Sequence, residues 1–166
     1  MQKEMTSYQV GVAAEAFAAA LFARAGFHIS VQYGANQPGY DLVVEKSNNP
    51  YLVSVKGSQD GSWGLTQNHI QNADYHGAID KWLCKHGENL IFCFVQFKNK
   101  KVSEMPDVYL ATCGEVAAHM KKSSGGFGNT ILDVEKTWKK GKRAGVTDMI
   151  PPHWRFSKQR TEELLT

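Results

Sequence analysis

The first part of the chain carries hydrophobic residues at the spacing of one helix face. Thr6 and Ser7 offer an N-cap before them, and Gly26 is placed to end the helix. The segment is also rich in alanine, which favours helix. The pattern therefore predicts an amphipathic first helix whose apolar face is formed by Val10, Ala14, Phe17 and Leu21.

Two short runs of β-branched and aliphatic residues follow, at 41–45 and 51–56, with polar turn-forming residues at 46–50 between them. This pattern predicts a hairpin, which places the start of its first strand beside the end of its second. We therefore expect Asp41 and Lys56 to lie close together at one end of an apolar sheet. A salt bridge at a sheet edge would account for such a pair without any catalytic role.

Helix-like and strand-like segments alternate through the rest of the chain. The longest apolar run, 90–97, is continuous enough for a strand buried on both faces, and a helix ended by Gly87 is predicted over 66–85. The other predicted elements are strands at 27–32, 107–111 and 130–134, and helices at 114–122 and 160–165. The fold class is therefore α/β, with a central mixed β-sheet flanked by helices in the order α-β-β-β-α-β.

Composition excludes several classes of protein. The 166 residues, 42% of them hydrophobic and 21% charged, fit a single domain over 1–166 with its own core. No apolar run approaches the roughly 18 residues that span a bilayer, so we expect a cytoplasmic protein with no membrane partner. The three widely spaced cysteines (Cys84, Cys93 and Cys113) indicate reduced, buried thiols, and no zinc-ligand set is complete around them.

Charge is divided unevenly along the chain. Residues 1–118 hold nine Lys/Arg and eleven Asp/Glu, whereas 119–166 hold ten and five. The basic residues of this C-terminal part are interrupted by Trp138, His153, Trp154 and Phe156. Basic residues with interleaved aromatic rings suit a phosphate backbone and exposed bases. A solvated basic tail explains the same composition equally well.

Three short motifs carry the most specific signal: Gly11-x-x-x-Glu15 in the helix, Tyr40-Asp41-Leu42-Val43 at the start of the second strand, and Val53-Ser54-Val55-Lys56 in the third. In joint order and spacing they resemble the core of the PD-(D/E)xK nuclease superfamily, which has a restriction-endonuclease-like, or Holliday-junction-resolvase-like, fold. The resemblance covers about residues 5–97 and leaves a basic, aromatic extension over about 119–166.

The resemblance implies hydrolysis of nucleic-acid phosphodiester bonds, with DNA as partner and Mg²⁺ (or Mn²⁺) as cofactor. In this pattern Asp41 is the main metal ligand, Glu15 helps to bind metal or orient water, and the backbone carbonyl of Val55 is a further ligand. Lys56 positions the attacking water or stabilises charge on the phosphoryl oxygens. Mg²⁺ takes hard oxygen ligands and keeps several waters, so few carboxylates are required. A homodimer is a further option, since nuclease folds of this size often cut two strands as dimers.

Ser54 occupies the catalytic position where the family pattern has Asp or Glu, two residues before the lysine. A neutral hydroxyl is a far weaker Mg²⁺ ligand than a carboxylate. Asp60 or Gln59 in the next loop could fold back to replace the missing acid. The alternatives are a catalytically silent nuclease-fold module that binds nucleic acid or a protein partner, and an unrelated α/β domain with a structural Asp–Lys pair.

The polar, glycine-rich loop at 57–68 follows Lys56 directly and is expected at the mouth of the site. Its candidate substrate-binding residues are Gln59, Trp63 and Gln67. Trp63 can either stack on a base or cover the core.

Overall fold

The computed structural model describes residues 4–31, 39–87 and 89–165, so most of the loop expected between the first two strands lies outside the described residues. Its α-helices are α1 (Ser7–Arg24), α2 (Tyr75–Cys84), α3 (Cys113–Lys122) and α4 (Lys158–Leu165). Its strands are β1 (His28–Val31), β2 (Leu42–Lys46), β3 (Asn49–Ser58), β4 (Ser62–Gly64), β5 (Leu90–Gln96), β6 (Asp107–Thr112), β7 (Ile131–Asp133), β8 (Glu135–Thr137) and β9 (Thr147–Met149).

Within the described residues, the central sheet has five strands in the order β1-β2-β3-β5-β6. Strands β3 and β5 are parallel and are connected through α2, whereas the other neighbouring pairs are antiparallel. This confirms the prediction of an α/β fold with a central mixed sheet. Two small antiparallel pairs, β4–β7 and β8–β9, accompany it.

Hydrophobic side chains pack on both faces of the central sheet. On one face α1 contributes Ala14, Ala18 and Phe22, and α4 contributes Leu165. On the other face α2 and α3 pack with Trp63 and Trp154 against the sheet. Every residue of β5 is buried, as its continuous apolar sequence predicted.

The β2–β3 hairpin is tighter than predicted. The turn consists of Ser47 and Asn48 alone, whose φ angles of 54° and 64° are left-handed. Pro50 pairs with Glu45 within the ladder instead of lying in a five-residue loop. Two-residue turns with positive φ match the right-handed twist of the flanking strands, and asparagine tolerates that conformation.

The helix predicted over 66–85 is wrong in its first half. A 3₁₀ turn covers Gln67–His69, and α2 begins only at Tyr75. Asn72 and Ala73 have φ angles of 52° and 59°, which interrupt any continuous helix. Asp74 then caps α2 by accepting a 2.8 Å hydrogen bond from the N–H of Gly77.

The C-terminal elements pack back onto the sheet. Arg160 of α4 is 5% exposed, and its guanidinium donates to the carbonyl of Leu110 in β6 and to both carboxylate oxygens of Glu115 in α3. Strand β7 pairs with β4 and not with the central sheet. All three cysteines are free, but only Cys93 and Cys113 are buried as expected, and Cys84 is exposed. Among the described helices none is both long and apolar enough to cross a membrane.

Candidate active site

Helix α1 lies unusually close to the C-terminal end of β3. A Cβ atom placed on Gly57 would lie 2.8 Å from Ala14 Cβ and 2.9 Å from the carbonyl oxygen of Val10, so only glycine permits this approach. Glu15 follows Ala14 in α1, and Lys56 precedes Gly57 in β3. The close contact therefore fixes the part of α1 that carries Glu15 against the strand that carries Lys56.

The start of α1 is held by a second contact with the loop after β3. The side-chain amide of Gln59 accepts a 3.1 Å hydrogen bond from the N–H of Met5 and donates a 2.7 Å bond to its carbonyl. A capping box between Thr6 and Gln9 then begins the helix. Both ends of the amide of Gln59, a candidate for substrate contact, therefore bind the backbone of Met5.

Asp41 lies at the point where β2 begins, and three hydrogen bonds join it to β3. Its N–H donates to the carbonyl of Val53 over 2.8 Å, and its Oδ2 accepts a 2.6 Å bond from the N–H of Val55. The hydroxyl of Ser54 also reaches Oδ2, at a longer 3.4 Å. The carboxylate thus accepts a hydrogen bond from the N–H of Val55, just beyond the last paired residues of β2 and β3.

This bond also indicates the direction of a backbone oxygen. In a β-strand the N–H and C=O of one residue point to the same edge. The carbonyl of Val55 therefore points to the edge of β3 on which Asp41 lies. A carboxylate and a backbone carbonyl at one sheet edge are the two kinds of oxygen that the sequence motifs predicted for a metal site.

Glu15 shares its electrostatic surroundings with Asp41 and Lys56. Partial burial raises the pKa of the Glu15 carboxyl, the negative charge of Asp41 raises it further, and the positive charge of Lys56 lowers it. The net shift is upward from 4.5. Each of the two charge effects acts on the ionised form of the Glu15 carboxyl, one against it and one in its favour. Glu15 of α1 therefore lies within electrostatic range of Asp41, just before β2, and of Lys56 in β3.

An open cleft of about 380 Å³ has Lys56 and its neighbours in β3 in its lining. It lies between the start of α1, the end of β3 and the β4 strand, and its lining includes Gly11, Val55, Lys56, Gly57 and Ser62. Lys56 is exposed, while its backbone carbonyl accepts a 2.9 Å hydrogen bond from the indole N–H of Trp63. The cleft therefore has an exposed lysine, Lys56, in its lining.

The loop after β3 does not supply a replacement acid. Oδ1 of Asp60 accepts hydrogen bonds from the hydroxyl of Ser58 and from the N–H and hydroxyl of Ser62, over 2.8–3.0 Å. Burial acts to raise the pKa of Asp60, but these bonds outweigh it and lower the pKa. Asp60 thus stabilises its own turn. In the described part of the chain no cluster of three or more His, Cys, Asp or Glu side chains could hold a metal ion.

Of the other two candidate substrate-binding residues, Trp63 is buried and Gln67 is exposed. Trp63 is 4% exposed and packs against Phe94 and Tyr109 in the core. Of the two alternatives, stacking on a base or covering the core, its position fits the second. Gln67 is exposed, and its amide folds over Gly64 at the rim of the cleft. The sequence motifs did not single out Gly57, although a glycine within a strand is itself a sign of close backbone approach.

Comparison with protein-family models, with curated proteins and with solved structures finds no match to this chain. The case for a function therefore depends on the residues around Asp41 and on their geometry.

Proposed function

We propose that this protein is a metal-dependent nuclease that hydrolyses phosphodiester bonds in DNA, with a restriction-endonuclease-like fold. The observation that carries the proposal is that Asp41 is hydrogen-bonded to Val55, next to the cleft-lining Lys56, while the close contact of Gly57 with Ala14 brings the helix segment of Glu15 to the same end of β3. Two acids and a lysine from three elements have no structural need to meet at a solvent-accessible sheet end. A purely structural Asp–Lys pair would not require Glu15.

The donor set suits a hard divalent cation. Asp41 raises the pKa of Glu15, so the two carboxylates disfavour each other's charge, and a bound cation would relieve that repulsion. Asp41, Glu15 and the Val55 carbonyl would hold the ion, with Asp41 oriented by its bond to the Val55 N–H. Mg²⁺ is commonly bound through one or two carboxylates and keeps several waters, and Mn²⁺ accepts similar ligands. Such an ion supplies Lewis-acid stabilisation of the phosphoryl oxygens and an activated water.

The remaining groups bind and orient the substrate. The Lys56 ammonium is exposed at the cleft, where it would contact a phosphodiester and stabilise negative charge that develops on its oxygens. Glu15 would accept a hydrogen bond from the attacking water and orient it. Ser54 is 3% exposed and hydrogen-bonded to Asp41, so its contribution is to support that carboxylate.

One observation favours a second candidate, a catalytically silent module of the same fold that binds nucleic acid or a protein partner. The position of the second acid is a serine, and Asp60, the nearest alternative acid in the loop, is bound within its own turn. A site with two carboxylates binds a divalent ion more weakly than one with three, and occupancy then depends on metal concentration.

A cleavage assay separates the two candidates. Wild-type protein is incubated with single-stranded, duplex and branched DNA, and with RNA, in Mg²⁺, in Mn²⁺ and in EDTA. Metal-dependent cutting of DNA that EDTA abolishes supports the nuclease. Binding without cutting at any metal concentration supports the silent module. Size-exclusion chromatography of the protein with and without DNA tests for a homodimer through its elution volume.

A further inference from the structure

A cluster of aromatic rings and one arginine lies away from the proposed metal site. The guanidinium carbon of Arg143 is 5.2 Å from the ring centre of Trp138, 5.3 Å from that of Phe127 and 5.7 Å from that of Tyr75. The three rings come from different elements: the start of α2, the loop after α3 and the β8–β9 hairpin. Among the described residues no carboxylate forms an ion pair with Arg143, so the aromatic rings are the groups that hold this cation.

Asp148 fixes the orientation of the cluster. Its Oδ2 accepts a 2.9 Å hydrogen bond from the indole N–H of Trp138 and a 2.8 Å bond from the N–H of Ser124. The indole is thereby joined to the loop that carries Phe127. Stacked and ordered side chains lose little further entropy when a ligand binds to them, which favours binding.

The cluster is exposed and surrounded by positive charge. Phe127 is 51% exposed, and Trp138 and Arg143 are half-buried. The hairpin around them adds the lysines Lys136, Lys139, Lys140 and Lys142, against only two acids, Glu135 and Asp148. Asp148 is already engaged by Trp138 and Ser124. The surface therefore combines cations for a phosphate backbone with ring faces for bases.

We propose that this surface, formed by Tyr75, Phe127, Trp138, Arg143 and the hairpin lysines, binds single-stranded nucleic acid. Unpaired bases stack on the exposed ring of Phe127 and beside Trp138, and phosphates are contacted by Arg143 and by the lysines, of which Lys136 lies 5.3 Å from the Trp138 ring centre. Bases in a duplex are stacked on one another and cannot use these faces. The inference builds on the nuclease proposal by naming the kind of substrate, and its binding test is independent of catalysis.

The hairpin is connected to the border of the cleft. The N–H of Ile150, just after β9, donates to the carbonyl of Val134, and the N–H of Val134 donates to the carbonyl of Gly61, next to the cleft-lining Ser62. The hairpin and the border of the cleft are therefore joined through the backbone of Val134.

Binding is measured in EDTA by fluorescence anisotropy, with a labelled single-stranded oligonucleotide, the duplex of the same sequence and the matching RNA. We expect the single strands to bind at least about tenfold more tightly than the duplex, and Phe127→Ala and Arg143→Ala each to weaken binding about five- to tenfold. Lys158→Ala removes a lysine of α4, which packs on the other face of the sheet, and should change affinity less than about twofold. Thermal melting checks that each variant is folded.

Tryptophan fluorescence gives a direct readout of stacking. Trp63, Trp82 and Trp154 are 2–4% exposed, so quenching by an unlabelled oligonucleotide reports on Trp138, and Trp138→Phe should abolish it. Equal affinity for duplex and single strand, with no effect of Phe127→Ala or Arg143→Ala, would overturn the proposal, as would preferential binding of an acidic peptide. If single strands bind in EDTA but are never cut, only the nuclease proposal fails.

Discussion

The Oδ2 atom of Asp41 accepts a 2.6 Å hydrogen bond from the backbone N–H of Val55. This bond joins the residue before β2 to the strand that carries Lys56, so the position of the carboxylate depends on the main chain of β3. A main-chain donor keeps its place when neighbouring side chains are changed. The candidate site should therefore tolerate substitution at Ser54 better than substitution at Asp41.

The pKa of Glu15 should respond in opposite directions to two substitutions. Asp41→Asn removes a negative charge that raises this pKa, so the pKa should fall toward 4.5. Lys56→Gln removes a positive charge that lowers it, so the pKa should rise further. NMR titration of the Glu15 side-chain carbonyl carbon measures both shifts, and Lys158→Gln, on an exposed part of α4, serves as a control that should leave it unchanged. Shifts of the same sign in both variants would show that the three groups do not share a site.

Ser54→Asp should restore the acid of the family pattern at a cost in stability. Ser54 is 3% exposed and lies beside the Asp41 carboxylate, so a second carboxylate there is buried next to a like charge. In EDTA we expect a Tm several degrees below that of the wild type, and recovery in millimolar Mg²⁺ because a bound ion stabilises the folded state. Ser54→Asn, which is similar in size but neutral, should show no such gain from Mg²⁺. A Tm of Ser54→Asp that does not change when Mg²⁺ is added would argue against an ion at this position.

Gly57→Ala and Gly11→Ala should change stability with opposite signs. The new methyl group at position 57 meets Ala14 Cβ at 2.8 Å and the Val10 carbonyl at 2.9 Å, and we expect a loss of about 1–3 kcal/mol in the free energy of unfolding. Gly11 lies within α1 with no heavy atom within 4 Å of its added Cβ, so alanine should stabilise by about 0.5–1 kcal/mol. Urea denaturation measures both. A neutral Gly57→Ala would mean that α1 does not need its close approach to β3.

The buried Arg160 should make stability depend on acid pH. Burial acts to raise the pKa of Glu115, but its hydrogen bonds and charge interaction with Arg160, together with those from Thr112, lower it below 4.5. A carboxyl with a depressed folded-state pKa adds stability above its unfolded pKa, and this is lost as the pH falls through the folded value. Arg160→Met should lower the free energy of unfolding by about 2–3 kcal/mol at pH 7, which is less than for a fully buried pair because Glu115 is partly exposed. The difference in stability between wild type and variant should shrink below about pH 4.

Arg155→Met is the matched control for that change, because the side chain of Arg155 is 65% exposed in its pair with Asp107. We expect it to cost less than about 1 kcal/mol. A pH-independent cost for Arg160→Met would contradict the role of the Glu115 pair.

The sequence predicted the elements whose signal is local and periodic. The apolar period of α1 and the continuous run of β5 each act within one segment, and the structure has a helix and a strand there. The start of α2 could not be predicted from periodicity, because the left-handed conformations of Asn72 and Ala73 interrupt a segment whose composition suits a helix.

Side-chain partners across the fold were harder to foresee. The hydrogen bond from Val55 to Asp41 and the clamp of Gln59 on Met5 depend on how α1 and the hairpin pack, which no local pattern encodes. Trp63 could equally cover the core or contact a ligand on sequence grounds, and its burial follows from the pairing of β4 with β7. The pairing of the start of β2 with the end of β3, where Asp41 bonds to Val53 and Val55, was foreseeable from hairpin geometry alone.

The most direct test of the proposed site is the rate of DNA cleavage in Mg²⁺ by wild-type protein and by Asp41→Asn, purified in parallel. Asparagine keeps the size of the side chain and an oxygen that can accept the bond from Val55, but it removes the charge. We expect metal-dependent cleavage by the wild type and a loss of at least about a hundredfold in the variant, with little change in Tm. Cleavage by folded Asp41→Asn at the wild-type rate would contradict it.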